Sequence, residues 1–216
     1  QGRWSLTSAL FSDSLESGPR LRAQAELMLE RYGIVTRESV LAEGVPGGFA
    51  SVYGELSNLE MLGTARRGYF VEGLGGAQFA LPGAIERLRG LPQEDEEHMV
   101  IAATDPAQPY GAALSWPKLE GGRKPSRVAG AYLIMRDGDP LLYVERGGRG
   151  LLRLRELSPE ELSGAVAALT QAAVDGIVPR LGIERVDGEA VIGTDLEEVL
   201  VEAGFSRQPR RLVAAA

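Results

Sequence analysis

The chain has no cysteine and one histidine, His98. Disulfides and cysteine-bound zinc are excluded, as is any metal site built from several imidazoles, and His98 reads as a plain linker residue rather than a ligand. Lysine is scarce, with Lys118 and Lys124 against 21 arginines. Neither lysine follows the G-x-x-x-x-G-K-[ST] spacing in which backbone amides and an ammonium cradle a triphosphate, and no DEAH-type acidic box occurs. The 216 residues are therefore expected not to hydrolyse ATP by themselves and to need no cofactor. No apolar run reaches the roughly 20 residues of a spanning helix, and the first residues lack the charged-then-apolar pattern of a signal peptide. A cytoplasmic protein without a membrane partner is expected.

With 44% hydrophobic and 25% charged residues, the composition is that of a globular protein with room for two cores. Charge divides them unevenly. Residues 1–19 carry −1, residues 20–92 balance eight arginines against eight glutamates, and residues 93–216 carry −6. Long-range attraction to a polyanion is not expected. Any grip on nucleic acid has to come from local arginine clusters, acting within a Debye length of roughly 8 Å, and should be weak and sensitive to salt.

Spacing organises residues 20–92 as a winged helix-turn-helix. Leu21, Ala25, Met28, Leu29 and Tyr32 recur at intervals of three and four, giving a helix over 20–32 that Gly33 stops. Thr36 stands at an N-cap position before a short second helix, ended by the run from Gly44 to Gly48. Phe49, Val52, Tyr53, Leu56, Leu59 and Leu62 mark a third helix. The period then falls to 2, with Ala65 to Val71 and Ala77 to Leu81 flanking a glycine-rich tip, followed by a short closing helix over 82–91.

If Val52, Leu56 and Leu59 face inward, Ser51, Glu55 and Asn58 face out, so the third helix is a poor reader of a duplex groove. The cations lie instead at Arg37, near the start of the second helix, and at Arg66 and Arg67, followed by Tyr69. Positive charge beside an aromatic suits phosphate contact with base stacking, which favours single-stranded or forked DNA.

The acidic run 93–98 reads as a linker to an α+β domain over 99–216, a compact mixed sheet or partial β-barrel with an antiparallel meander. A strand is expected over 100–103. The loop TDPAQPYGAALSWP after it offers Tyr110 and Trp116 as core or stacking residues and Asp105 as a carboxylate candidate, although Asp before Pro also suits a turn. Gly121 to Ser126 reads as an exposed mobile turn. Strands follow over 128–135, 141–145 and 151–154, and the glycine turns carry Arg146 and Arg149, a second candidate phosphate contact. Ser158, Pro159 and two glutamates start a helix running to about Val174. A hairpin about Asp187-Gly188, a helix capped by Asp195 and a single strand over 205–213 complete the reading.

The stretches RAQAELMLERYGIVTRESVLAEGVPGGFASVY, RRGYFVEGLGGAQFALPGAIERLR and AATDPAQPYGAALSWP resemble, in order, the C-terminal region of the Lhr (large helicase-related) superfamily 2 helicases. The resemblance is dense over 2–154 and looser beyond. It implies a distal module beside a helicase core on the same polypeptide, with ATP and Mg confined to that core. Such a module is expected to bind nucleic acid, and self-assembly into a homo-oligomer is a further expectation. The same region is similar in plan to winged-helix DNA glycosylases, which makes base excision an alternative. Their glutamine pair has only a partial counterpart in Gln78-Phe79-Ala80, and no acid follows Glu202. A docking domain that never touches nucleic acid is the other alternative.

Overall fold

A computed structural model describes residues 4–8, 17–91, 97–179 and 181–214. The chain divides into two compact units, Gln1–Leu91 and Pro92–Ala216. Most of the expected N-terminal extension, 1–19, and of the linker, 93–98, lies outside the described residues.

The first unit runs α1 (Ser17–Tyr32), β1 (Ile34–Val35), α2 (Arg37–Ala42), α3 (Gly48–Met61), β2 (Arg66–Gly68), β3 (Gln78–Ala80) and α4 (Pro82–Gly90). Ala25, Met28 and Leu29 of α1 pack with Val52, Leu56 and Leu59 of α3 and with Phe79 in one core. Gly33 ends α1 at φ 69°, and a Cβ there would lie 3.0 Å from that of Ala84. Thr36 and Ser39 cap α2 reciprocally, each hydroxyl accepting the other's backbone N–H at 3.1 and 3.0 Å. Periodicity gave no sign of β1, which is only two residues long. It pairs antiparallel with β3 and extends the wing to a three-stranded sheet, β1-β3-β2.

The wing strands are shorter than alternation predicts, and Gln78 is the reason. Its fully buried carboxamide accepts the N–H groups of Phe70 and Val71 at 2.8 and 2.9 Å and donates to the carbonyls of Val71 and Leu74, both at 3.1 Å. A side chain thus takes the place of ladder pairing beyond Gly68, and the tip folds around it.

The second unit contains β4 (His98–Ala102), β5 (Tyr132–Arg136), β6 (Asp139–Val144), β7 (Gly150–Arg153), α5 (Pro159–Val174), β8 (Gly182–Ile183), β9 (Arg185–Val186), β10 (Glu189–Ala190), α6 (Asp195–Glu202), β11 (Phe205–Gln208) and β12 (Arg211–Ala214). Six strands form one sheet, ordered β10-β9-β7-β6-β5-β4, and three form another, β11-β12-β8. Neither sheet closes into a barrel: the larger runs openly from β10 to β4. All pairs are antiparallel except β7 with β9.

Successive residues of the meander alternate between two cores, as the pleat requires. Ile134, Leu142 and Val144 pack with Leu162, Val166 and Leu169 of α5 and with α6. Leu133, Met135, Tyr143 and Leu152 face the other way, where Tyr110, Trp116 and Leu119 of the long loop cover them.

Several further expectations change, among them the strand expected over 128–135, which starts only at Tyr132 after a turn at 129–130. His98 is not a linker residue but the first residue of β4, its ring against Gly164 of α5. Thr194, not Asp195, is the N-cap of α6, and Asp195 turns instead to Arg153 at 2.8 Å. The last segment is a hairpin rather than one strand, because Pro209 has no N–H for a ladder and the chain reverses there, pairing Gln208 with Arg211. Ile183 belongs to β8 in the smaller sheet, so the Asp187-Gly188 hairpin is correspondingly shorter.

Candidate nucleic-acid interface

Arg66 and Arg67 are neighbours on β2, and alternation sends them to opposite faces. Arg67 folds back onto α3. Its guanidinium donates to the Tyr53 hydroxyl at 3.0 Å and the Ser57 hydroxyl at 3.1 Å, lies 2.6 Å from the Glu60 carboxylate, and sits 5.0 Å from the ring centroid of Phe79. Arg67 therefore fastens the wing to the third helix. The Arg66 side chain is exposed and has no hydrogen-bond or ion-pair partner among the described residues. Tyr69 is 88% exposed, its ring open to solvent.

Arg37, the first residue of α2, is also exposed and unpaired among the described residues. It lines an open cavity of about 690 Å³ together with Leu41, Phe49, Tyr53 and Ala77. Tyr53 links the two regions, since its ring lines this cavity while its hydroxyl accepts from Arg67. Ser51 acts locally. Its hydroxyl donates to the carbonyls of Gly48 and Pro46 at 2.7 and 3.0 Å and secures the turn into α3.

The remaining cations of this unit are partly neutralised. Arg22 pairs with Glu26 and Arg31 with Glu43. The Arg31 guanidinium, and then the Tyr32 hydroxyl, hydrogen-bond the Glu43 carboxylate and hold its pKa below the usual carboxylate value. Pairing thus holds Arg22, Arg31 and Arg67, while Arg20, Arg37, Arg66, Arg87 and Arg89 stay exposed; of these, Arg37 borders the cavity beside Tyr53 and Arg66 stands on the wing strand next to the open Tyr69 ring.

In the second unit Tyr110 and Trp116 stack on each other, centroids 6.1 Å apart, and Trp116 meets Tyr143 edge-on at 5.7 Å. Burial, and then the charge of Asp139, push the Tyr110 phenol upward, so it stays protonated and donates to the Gly138 carbonyl at 3.0 Å. Both rings are packing elements of the core. Asp105 accepts the Ala107 N–H at 2.8 Å in a turn. Sequence reasoning missed the two residues that organise this loop. Gln108, buried, donates to the carbonyls of Ala103 and Tyr110 and accepts the Tyr110 N–H, and Arg127 donates to the carbonyls of Asp105, Gln108 and Tyr110. Neither carries a periodic signal, because each serves irregular backbone.

Arg149 is 70% exposed and only loosely paired with Glu184 at 3.9 Å. Arg146 is exposed beside Gly147 and Gly148 at the rim of a smaller cavity of about 230 Å³. The arginines nearest to them in sequence, Arg153 and Arg155, are held by Asp187, Asp195 and Glu161. Among the described residues no cluster of three His, Asp or Glu could hold a metal ion, and no helix is long and apolar enough to cross a membrane.

Three helices around a β1-β3-β2 sheet, with a glycine-rich wing pinned to α3, define the first unit as a winged-helix domain. Residues 14–100 match the family model of the large helicase-related protein winged-helix domain. This winged-helix domain belongs to the Lhr family. The chain is 45% identical, over 98% of its length, to "Lhr helicase/ probable uracil glycosylase" of Mycolicibacterium smegmatis and 39% identical, again over 98%, to "Lhr helicase/uracil glycosylase" of Escherichia coli K12. It spans only 15% and 14% of the lengths of these relatives.

Proposed function

We propose that the chain is a nucleic-acid-binding accessory module of an Lhr-type DNA-repair helicase, working in the cytoplasm beside a helicase core on the same polypeptide, with a winged domain over 20–92 and an α+β domain over 99–216. It holds single-stranded or forked DNA. The observation that carries this reading is that Arg37 and Arg66 are exposed without carboxylate partners among the described residues and Tyr69 is 88% exposed one residue beyond the wing strand, whereas Arg67 is bound to α3. Two guanidiniums supply phosphate contacts, and the open ring supplies a face on which any base can stack. The exposed side of α3 carries Ser51, Glu55 and Asn58 rather than cations, which disfavours sequence reading in a duplex. Arg146 and Arg149 offer a further phosphate contact, and assembly into a homo-oligomer would multiply such weak grips.

Base excision is the weaker alternative. The relatives' names include uracil glycosylase, but here Gln78 is bound on all sides by backbone, and Asp105 spends one carboxylate oxygen on the Ala107 N–H in a turn.

Fluorescence anisotropy with labelled single-stranded, forked and duplex DNA across a salt series tests the reading, with uracil-excision assays in parallel. Single-stranded and forked probes should bind more tightly than duplex. An Arg37→Ala/Arg66→Ala variant should bind more weakly, and its plot of log affinity against log salt should flatten by about 1.4, at roughly 0.7 per lost single-strand phosphate contact. Equal affinity of variant and parent removes the proposed site.

A further inference from the structure

An open cavity of the second unit has none of the residues invoked above for binding in its lining. It has a volume of about 850 Å³ and is lined by Leu119 and Leu157 together with Lys118, Arg123, Arg153 and Arg155. That size is within the range of small-molecule and nucleotide sites, about 300–1,000 Å³. Its charge runs against its surroundings. Four cations face two carboxylates, Glu156 and Asp187, in a segment, 93–216, whose net charge is −6.

The four cations are not equivalent. Arg153 lies 2.6 Å from Asp187 and 2.8 Å from Asp195, and Arg155 lies 2.7 Å from Glu161. These two build the wall. Lys118 and Arg123 are exposed and have no ion-pair partner among the described residues.

The position of Arg123 is shaped by the fold. Its guanidinium lies so close to the β9–β10 turn that a Cβ on Gly188, at φ 93°, would collide with its Nη2. The preceding residue, Asp187, takes the Arg153 side chain and also accepts the Arg153 backbone N–H at 2.8 Å. One two-residue turn thus positions a neutralised arginine through its carboxylate and an unneutralised one through its missing side chain. An apolar lining beside two free cations is the chemistry of a group that is flat and weakly polar at one end and anionic at the other.

We propose that this cavity is a nucleotide groove that takes one unit of a single strand, its phosphate at Arg123 and Lys118 and its base against Leu119 and Leu157. The site extends nucleic-acid contact to the second unit and uses none of the winged-domain residues, so the two readings stand or fall separately.

The test uses the full chain, a labelled oligothymidylate at low salt, and a Lys118→Glu/Arg123→Glu variant. Both side chains are exposed, so its Tm should match the parent's. The expected results are a loss of about tenfold in affinity and, with a bromodeoxyuridine probe, photo-crosslinks in the peptides carrying residues 118–123 and 152–157 that the variant lacks. The same loss should appear in the Arg37→Ala/Arg66→Ala background. If that background binds like the parent while the cavity variant does not, the winged site fails and the cavity stands. Unchanged affinity of the cavity variant in both backgrounds, or crosslinks elsewhere only, overturns the groove. Displacement of the strand by thymidine monophosphate as effectively as by oligothymidylate, per nucleotide, overturns the strand assignment in favour of a free nucleotide.

Discussion

The guanidinium of Arg67 on β2 and the carboxylate of Glu60 on α3 lie 2.6 Å apart, and Arg67 also bonds Tyr53 and Ser57 on the same helix. Arg67→Ala should therefore lower stability by about 1–2 kcal/mol, since partial exposure weakens the ion pair but the hydrogen bonds and ring contact go with it. Arg66→Ala should change stability by less than about 0.5 kcal/mol while weakening single-strand binding. Urea unfolding and DNA titration of the two variants side by side check this. Equal stabilities would refute the division of labour.

Replacing Gln78 by Leu leaves the N–H groups of Phe70 and Val71 without their acceptor in a buried setting. A loss of about 2–3 kcal/mol is expected. Hydrogen exchange should quicken at the Phe70 and Val71 amides specifically, and uniform exchange across the wing would count against a bracing role.

Gly164 lies inside α5, where alanine ordinarily stabilises a helix by about 0.5–1 kcal/mol. Here a Cβ would run into the His98 ring. Gly164→Ala should therefore destabilise, by about 1 kcal/mol or more. In a His98→Ala background the sign should reverse, with the added methyl now raising the melting temperature. A cycle without coupling between the two positions would show that the ring moves aside freely.

Glu161 is held at a pKa of about 2, against an ordinary 4.5, first by the Arg155 guanidinium and then by the Ser158 backbone N–H. A carboxylate depressed in the folded state contributes stability that is complete above the unfolded value and disappears as pH falls through the folded one. The difference in melting temperature between the parent and Glu161→Gln should be constant above about pH 4.5 and shrink to nothing toward pH 2. Glu43, also depressed, adds to the same acid-side loss. Parallel melting curves for parent and variant down to pH 2 would exclude the linkage.

Elements with their signals in one place were legible in the sequence. Ser158, Pro159 and Glu161 announce the start of α5, and its observed end, Val174, is the expected one, because cap, dipole and apolar stripe all lie within one segment. The winged domain was legible for the same reason. What depends on partners distant in sequence was not. β1 exists only because β3 lies beside it, and the parallel pairing of β7 with β9 joins residues on either side of α5. The candidate site shows the same limit at finer grain. Arg66 and Arg67 are chemically identical neighbours, and only the direction of the pleat separates the one committed to α3 from the one left open. Gln78 drew notice as a partial glycosylase motif, and its packing gave it a structural use instead.

The β7–β9 pairing also sets an order on biosynthesis. While the nascent chain emerges, β4 to β7 can zip up as a meander, but the outer edge of β7 stays bare until Arg185 and Val186 clear the ribosome and Asp187 closes on Arg153. Any product terminated within α5 would expose that edge to neighbouring chains, which makes premature release a route to aggregates rather than to a shorter working protein.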